Sequence, residues 1–314
     1  MMRILALVPG GTGEQLLFFP TLDTLKQQYP NAEIDVVVEP RAMASYRVCL
    51  SVNRVLKFDF NDRNSLADFG NLLGTIRDRE YDAAILTQPR QSLKILLWLS
   101  GIPLRVSFGN QNNFLLTESI EFDPQEYAAV ANHSLLAPFQ ILKPCPPIKV
   151  NLPKGDLDWA ASEQKRLGLP KSGFILLNCG ALANYPADSW AEIATDIQAK
   201  LPDLSIVAID SVNNAELLEK LAARVPNLLI ASPTDVGKLA ALIATANLFI
   251  CAEGDAMQFG VAVGTALVAI LSAATSAKVF LPIAEKRVKY VQAIAGQSLK
   301  DIPPQTVLAK IWES

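Results

Sequence analysis

Arg3-Ile4-Leu5-Ala6-Leu7-Val8 runs straight into Pro9-Gly10-Gly11-Thr12-Gly13-Glu14, and the pattern returns late in the chain. There Asn247-Leu248-Phe249-Ile250-Cys251 leads into Ala252-Glu253-Gly254-Asp255-Ala256. Each is a short apolar strand followed by a glycine turn carrying a carboxylate, with a helical stretch behind it. A continuous apolar run of this length marks a strand buried on both faces, as in a parallel sheet. In an open parallel sheet, ligands bind at such strand-to-helix turns. Two of them, one in each half, predict two doubly wound parallel-sheet domains of Rossmann-like type facing a shared central cleft.

The segments between the two turns alternate in the same way. In the first half the pattern predicts strands at Arg3–Val8, Glu33–Val38, Val55–Phe58, Tyr81–Leu86 and Arg105–Phe108. Helices are expected over Leu16–Tyr29, Ser65–Arg79 and Gln91–Ser100. The proline-rich stretch from Lys143 to Pro153 disfavours helix and pre-extends the chain, so it reads as a linker. Domains are therefore expected at 1–150 and 151–314, with the last helix packing back on the first. In the second half, strands are expected at Phe174–Asn178, Ser205–Ile209, Leu228–Ile230, Leu248–Cys251 and Leu267–Leu271. Helices fall at Leu157–Leu167 (N-capped by Asp156), Ser189–Lys200, Ala215–Arg224 and Val236–Ala246. Alternation of this kind builds a parallel sheet through right-handed crossovers.

Composition narrows the function. The 314 residues suffice for two cores, and half of them are hydrophobic. A net charge of −3 with no basic run predicts no grip on nucleic acid. The four cysteines are scattered without a CxxC pair, and the single His133 leaves little room for zinc or triad chemistry. His133 is expected to cap or pack, and Trp190 to lie in the core. The N-terminal apolar run is too short for a signal peptide and is read as the first strand. No stretch approaches the roughly 20 apolar residues of a membrane span, so the expected location is cytoplasmic. Lys94 is expected as a solvated or snorkelling charge on an otherwise apolar helix.

The glycines allow several chemistries. Gly11-Thr12-Gly13 begins a dinucleotide fingerprint, and Glu39 ends the second strand where an acid would hold a ribose; but Leu16 stands at the third glycine position. No Gly-Lys-Ser/Thr follows, which removes a P-loop. One remaining reading is a tight turn with no ligand. The other joins both turns: helix N-terminal amides at Glu253-Gly254-Asp255-Ala256 cradle a diphosphate, and Glu14 acts as base on an acceptor hydroxyl.

With these residues in view, the chain resembles glycosyltransferase family 9, the ADP-heptose:lipopolysaccharide heptosyltransferases. The resemblance rests on Gly13-Glu14-Gln15-Leu16-Leu17-Phe18-Phe19-Pro20-Thr21-Leu22, on Tyr29-Pro30, on Tyr81-Asp82-Ala83-Ala84-Ile85 and on Arg105-Val106-Ser107-Phe108. In the second half it rests on Cys179-Gly180-Ala181-Leu182-Ala183-Asn184-Tyr185-Pro186 with Trp190, and on Glu253 to Ala262 followed by Ser272-Ala273-Ala274-Thr275. The resemblance implies the GT-B architecture and inverting, metal-independent transfer without a cofactor. The substrate would be a nucleotide-diphosphate sugar, ADP-linked, and the acceptor a lipopolysaccharide-type glycan or glycolipid. It implies Glu14 as base, a donor site at Gly180, Ala181, Glu253, Gly254, Asp255, Ala256 and Gln258, and Gly11, Thr12 and Gly13 on the acceptor side. From their places at strand ends, Asp210 is read either as touching the donor's base or ribose or as an ordinary helix cap, and Gln88 and Arg90 either as contacting an anionic acceptor or as a surface ion pair. A lipid-linked acceptor would bring peripheral contact with the cytoplasmic face of the inner membrane.

Four departures bear on that chemistry. The family's catalytic Asp is Glu14 here, its donor-side Lys falls on Ala183, its His on Gln258, and a glycine position holds Asp255. A second functional class therefore stands beside the first: a catalytically degenerate GT-B protein that binds a protein partner as an assembly factor.

Overall fold

In a computed structural model, residues 1–61, 65–110, 114–180, 185–211 and 213–313 are described. The chain divides into two compact units, Met1–Asn151 and Leu152–Ser314.

The first unit contains β1 (Arg3–Val8), α1 (Thr12–Gln28), β2 (Glu33–Val38), β3 (Arg54–Lys57), α2 (Leu66–Arg77) and β4 (Ala83–Leu86). It continues with α3 (Gln91–Ser100), β5 (Leu104–Phe108), β6 (Glu118–Ile120) and α4 (Ala128–Ser134). Its six strands are all parallel, in the order β3-β2-β1-β4-β5-β6. The central strands are buried on both faces, with Ile4, Leu5, Ala6 and Leu7 fully inaccessible. That burial is the physical cause of their uninterrupted apolar sequence.

The second unit repeats the plan. It holds α5 (Lys154–Arg166), β7 (Phe174–Asn178), α6 (Ala187–Lys200), β8 (Ser205–Ile209), α7 (Ala215–Ala222), β9 (Leu229–Ala231) and α8 (Val236–Ala244). After these come β10 (Leu248–Ala252), α9 (Asp255–Val263), β11 (Leu267–Leu271), α10 (Ala277–Phe280), β12 (Val288–Gln292) and α11 (Pro304–Trp312). The strand order is β12-β11-β10-β7-β8-β9, again all parallel. Trp190, fully buried, meets Tyr185 edge-on at 5.4 Å in its core. α11 packs on α6, β11 and β12 of its own unit.

Each sheet reverses its winding once: between β1 and β4 in the first, between β10 and β7 in the second. At such a reversal the two outgoing loops diverge and leave a crevice at the carboxyl ends of the strands. The two glycine turns singled out in the sequence follow β1 and β10, so each lies on one of these reversals.

Several local details differ from the sequence reading. α1 starts at Thr12 rather than Leu16, because Gly11 serves as N-cap and Glu14 folds back onto it. Asp156 is not the N-cap of α5. The helix begins at Lys154 after Pro153, and Asp156 lies buried in its first turn. β6 and β12 add an edge strand to each sheet. Lys94 is 8 % exposed, its stem packed along the protein as in the snorkelling alternative.

Candidate functional site

The turn after β1 is tied down by two carboxylates. Gly10 has a φ of +117°, a conformation open to glycine. A Cβ there would stand 2.8 Å from Cγ of Glu14. Glu14 Oε2 accepts the Gly11 N–H at 2.8 Å, capping α1 with its own third residue. Glu39, at the end of β2, accepts the Gly10 N–H at 3.1 Å and Asn61 Nδ2 at 2.7 Å. Arg41 Nε meets the other Glu39 oxygen at 2.8 Å. Both glycine amides are thus occupied by the chain's own acids. Glu39 holds the loop, which is a structural use of the residue considered above for a ribose.

Gln88 and Arg90 belong to the same network. Gln88 Nε2 donates to Pro9 O at 3.1 Å, linking the loop after β4 to the loop after β1 across the reversal. Arg90 donates to Phe60 O at 2.7 Å, to Asn61 Oδ1 at 3.2 Å and to Gln88 Oε1 at 3.3 Å. Behind the turn, Gln15 donates to Val8 O and accepts from Tyr46 Oη at 2.7 Å. Thr12 is buried in the first turn of α1, and Gly13 follows it. The structure therefore brings Gly11, Thr12, Gly13, Glu14, Gln88 and Arg90 to one edge of the first sheet. Asn61, which with Glu39 laces them together, carried no signal in the sequence: the contacts of this pair span 22 to 29 residues of chain.

In the second unit, Cys251 pairs with Asn178, so the turns after β10 and β7 are neighbours across the reversal. Glu253 Oε2 accepts the Ser272 N–H at 2.8 Å, joining the ends of β10 and β11. Gly254, with a φ of +148°, precedes α9, where Asp255 and Ala256 form the first turn. Gln258 is 2 % exposed and donates from Nε2 to Phe280 O at 2.7 Å. Its Oε1 has no hydrogen-bond partner among the described residues. Gly180 ends the described part of the loop after β7 in a left-handed conformation. Ala181 and Ala183 lie outside the described residues. Asp210, after β8, accepts from Ser232 Oγ at 3.0 Å. Asn214 braces the same loop by accepting the Ser211 N–H and donating to Ile209 O.

Charge separates this edge from an ordinary phosphate site. Residues 179–186, 210–214, 253–263 and 272–276 contain no Lys or Arg, yet include Asp210, Glu253 and Asp255. The α9 amides would favour an anion, but Asp255 already brings one to that helix end. Among the described residues no group of His, Cys, Asp and Glu has the arrangement of a metal site. Burial pushes the thiols of Cys179 and Cys251 far up, which leaves them unreactive packing groups. No helix is long and apolar enough to cross a membrane among the described residues.

Comparisons with known proteins agree on the fold. The chain is similar to the glycosyltransferase family 9 protein of Veillonella parvula, with a TM-score of 0.83, 17 % identity, and coverage of 98 % of this chain and 95 % of that one. It is similar to the E. coli ADP-heptose lps heptosyltransferase II, with a TM-score of 0.77, 20 % identity and coverage of 99 % and 97 %. E. coli heptosyltransferase WaaC with ADP-2-deoxy-2-fluoro heptose gives a TM-score of 0.75 at 15 % identity, with 99 % of each chain covered. The structure is thus a GT-B fold. Among curated proteins, the chain is 22 % identical to the Arabidopsis thaliana protein named photosynthetic NDH subunit of subcomplex B 1, chloroplastic, over 91 % of this chain and 67 % of that one. The family model for glycosyltransferase family 9 (heptosyltransferase) matches residues 70–306, a span that starts after the Gly10–Glu14 turn. On that match over most of its length, the chain belongs to glycosyltransferase family 9.

Proposed function

We propose that this chain is a catalytically degenerate member of its family, serving as a protein subunit of a larger assembly. The observation that carries the reading is the make-up of the loops at the carboxyl edge of the second sheet, residues 179–186, 210–214, 253–263 and 272–276, which hold three acids and no Lys or Arg. A diphosphate there meets like charges. At about 6 Å and an effective dielectric of about 20, each such pair costs roughly 3 kcal/mol. One helix N-terminus returns at most about 2 kcal/mol. The Arabidopsis relative, named as a subunit of a complex, supports the same reading.

Native fractionation of the source cells under mild detergent tests it. The tagged chain is expected to migrate with a large complex, and migration wholly as a free 34.1 kDa protein overturns the proposal.

A second reading, transfer of a sugar from a nucleotide diphosphate to a glycan acceptor, is favoured by one feature. Glu14 keeps a carboxylate in the first turn of α1, on the winding reversal. In that reading Glu14 removes the acceptor proton, the α9 amides stabilise the leaving diphosphate, and Gly11, Thr12, Gly13, Gln88 and Arg90 touch the acceptor. Gly180, Ala181, Asp210, Glu253, Gly254, Asp255, Ala256 and Gln258 would hold the donor. Glu14→Gln should then abolish turnover while sparing nucleotide binding.

A further inference from the structure

α2 and α3 lie side by side in the first unit and leave a groove of about 360 Å³ between them. Leu66, Phe69, Gly70 and Leu73 of α2 and Ile95 and Leu99 of α3 line it, and no charged residue does so among the described residues. Leu66 stands 93 % exposed at the start of α2, and Ile95, Leu99 and the adjoining Trp98 are exposed as well. Together they bare apolar surface on the order of a few hundred Å², the scale of the largest patch on an ordinary monomer, about 300–600 Å².

α2 adds a feature that its own fold does not use. Its buried residues are Leu72 and Ile76. Leu66, Gly70 and Gly74, spaced four apart, form a row turned away from them. Both glycines are exposed, neither has a positive φ, and a Cβ built on either meets nothing within 4 Å. Glycine is unfavourable in a helix interior, and here neither backbone conformation nor packing within the chain calls for it. What the pair provides is a hollow in which another helix can settle.

The row also selects that helix. Leu66 and Gly74 are equally far from Gly70 along α2. A two-fold axis through Gly70 therefore sets each Leu66 over Gly74 of the other copy, a knob over a hollow at both ends. Rows of residues four apart pack on one another in this way, with the helices crossing at about −50°. One face that carries both halves of the fit suits an isologous contact. Burying the patch on both copies removes on the order of 1,000 Å² from water, the lower end of a specific interface. A membrane surface fits less well, because it gains nothing from a glycine hollow and the groove brings it no Lys or Arg.

We propose that α2 and α3 form a homodimer interface, in which the Leu66–Gly70–Gly74 row of one copy packs on the same row of a second. This contact is independent of the subunit role proposed above.

Sedimentation velocity of the full chain, from about 1 to 200 µM, tests it. A single step from 34.1 kDa to twice that mass is expected, with a Kd of about 1–50 µM for so small an interface. Leu66→Asp should abolish the step. The residue is exposed at the first helical position, where an acid suits the helix end, so the fold is kept. Gly70→Ala combined with Gly74→Ala separates the dimer from the fold, since alanine favours the helix but fills the hollow. At 1 µM this double variant should melt a few degrees higher than the wild type, while its association weakens by about tenfold or more. A monomer throughout, assembly beyond the dimer, or unchanged association in either variant overturns the proposal. Flotation of a chain that stays monomeric with phosphatidylcholine–phosphatidylglycerol vesicles, lost in Leu66→Asp, overturns it too and assigns the patch to a membrane.

Discussion

Glu39→Ala should loosen the first glycine turn measurably. The Glu39 carboxylate is 2 % exposed and accepts from Gly10 N–H at 3.1 Å and Asn61 Nδ2 at 2.7 Å. A bond to a charged acceptor is worth about 1.5–3 kcal/mol, so the two together amount to roughly 3–6 kcal/mol. The Arg41 side chain is 67 % exposed, so that pair adds at most about 1 kcal/mol. Against these stands the desolvation of Glu39, which the variant no longer bears. The net loss is about 2–3 kcal/mol, or about 4–12 °C in the melting of a unit of this size. Glu39→Gln keeps an acceptor for Gly10 and should lose only about 1 kcal/mol. The two units need not unfold together, so the assay is native-state hydrogen exchange at the β1 and β2 amides. A change below about 0.5 kcal/mol in Glu39→Ala, with Gly10 still protected, would refute the structural role assigned to Glu39.

Burial holds the His133 imidazole below its usual 6.5, with Nε2 3.1 Å from Thr24 Oγ1. The unfolded chain then binds the proton more readily, so this contribution is complete above pH 6.5 and fades as pH falls through the folded value. Urea midpoints should drop on acidification in the wild type more than in His133→Gln, and equal slopes would contradict it. Gly260→Ala places a Cβ 2.8 Å from Cδ1 of the buried Phe249. It should destabilise the second unit by about 1–3 kcal/mol, and an unchanged midpoint would show that the ring yields freely. Burial raises the Cys49 thiol to about 12 and Cys145 to about 11, and pushes Cys179 and Cys251 higher still. Iodoacetamide at pH 8 should leave Cys179 and Cys251 unlabelled in the native protein and label them after denaturation, as read by mass spectrometry.

β1, β2, β7, β8 and β11 follow the sequence expectation to the residue, because doubly buried strands leave unbroken apolar runs. The edge strands were harder. β6 is three residues, one exposed and two half-exposed, and Val288-Lys289-Tyr290-Val291-Gln292 of β12 mixes polar and apolar positions as a one-sided edge does. The start of α1 was hidden by Gly11-Thr12-Gly13, which reads as loop until Glu14 is seen capping it. Both turns and their carboxylates were legible, since glycine and acid at a strand end are local signals. What those acids do was not. Glu39 reaches Gly10 and Asn61, and Glu253 reaches Ser272, through contacts that only the folded sheet creates.

Titration calorimetry with ADP, UDP, GDP and their sugars bears most directly on the loss of donor binding. The account predicts no saturable heat at millimolar ligand, in keeping with an edge that holds Asp210, Glu253 and Asp255 and no base. A one-to-one isotherm with a Kd near 10 µM, which would also stabilise the fold by about 2.7 kcal/mol at 1 mM ligand, would contradict it and return the chain to sugar transfer.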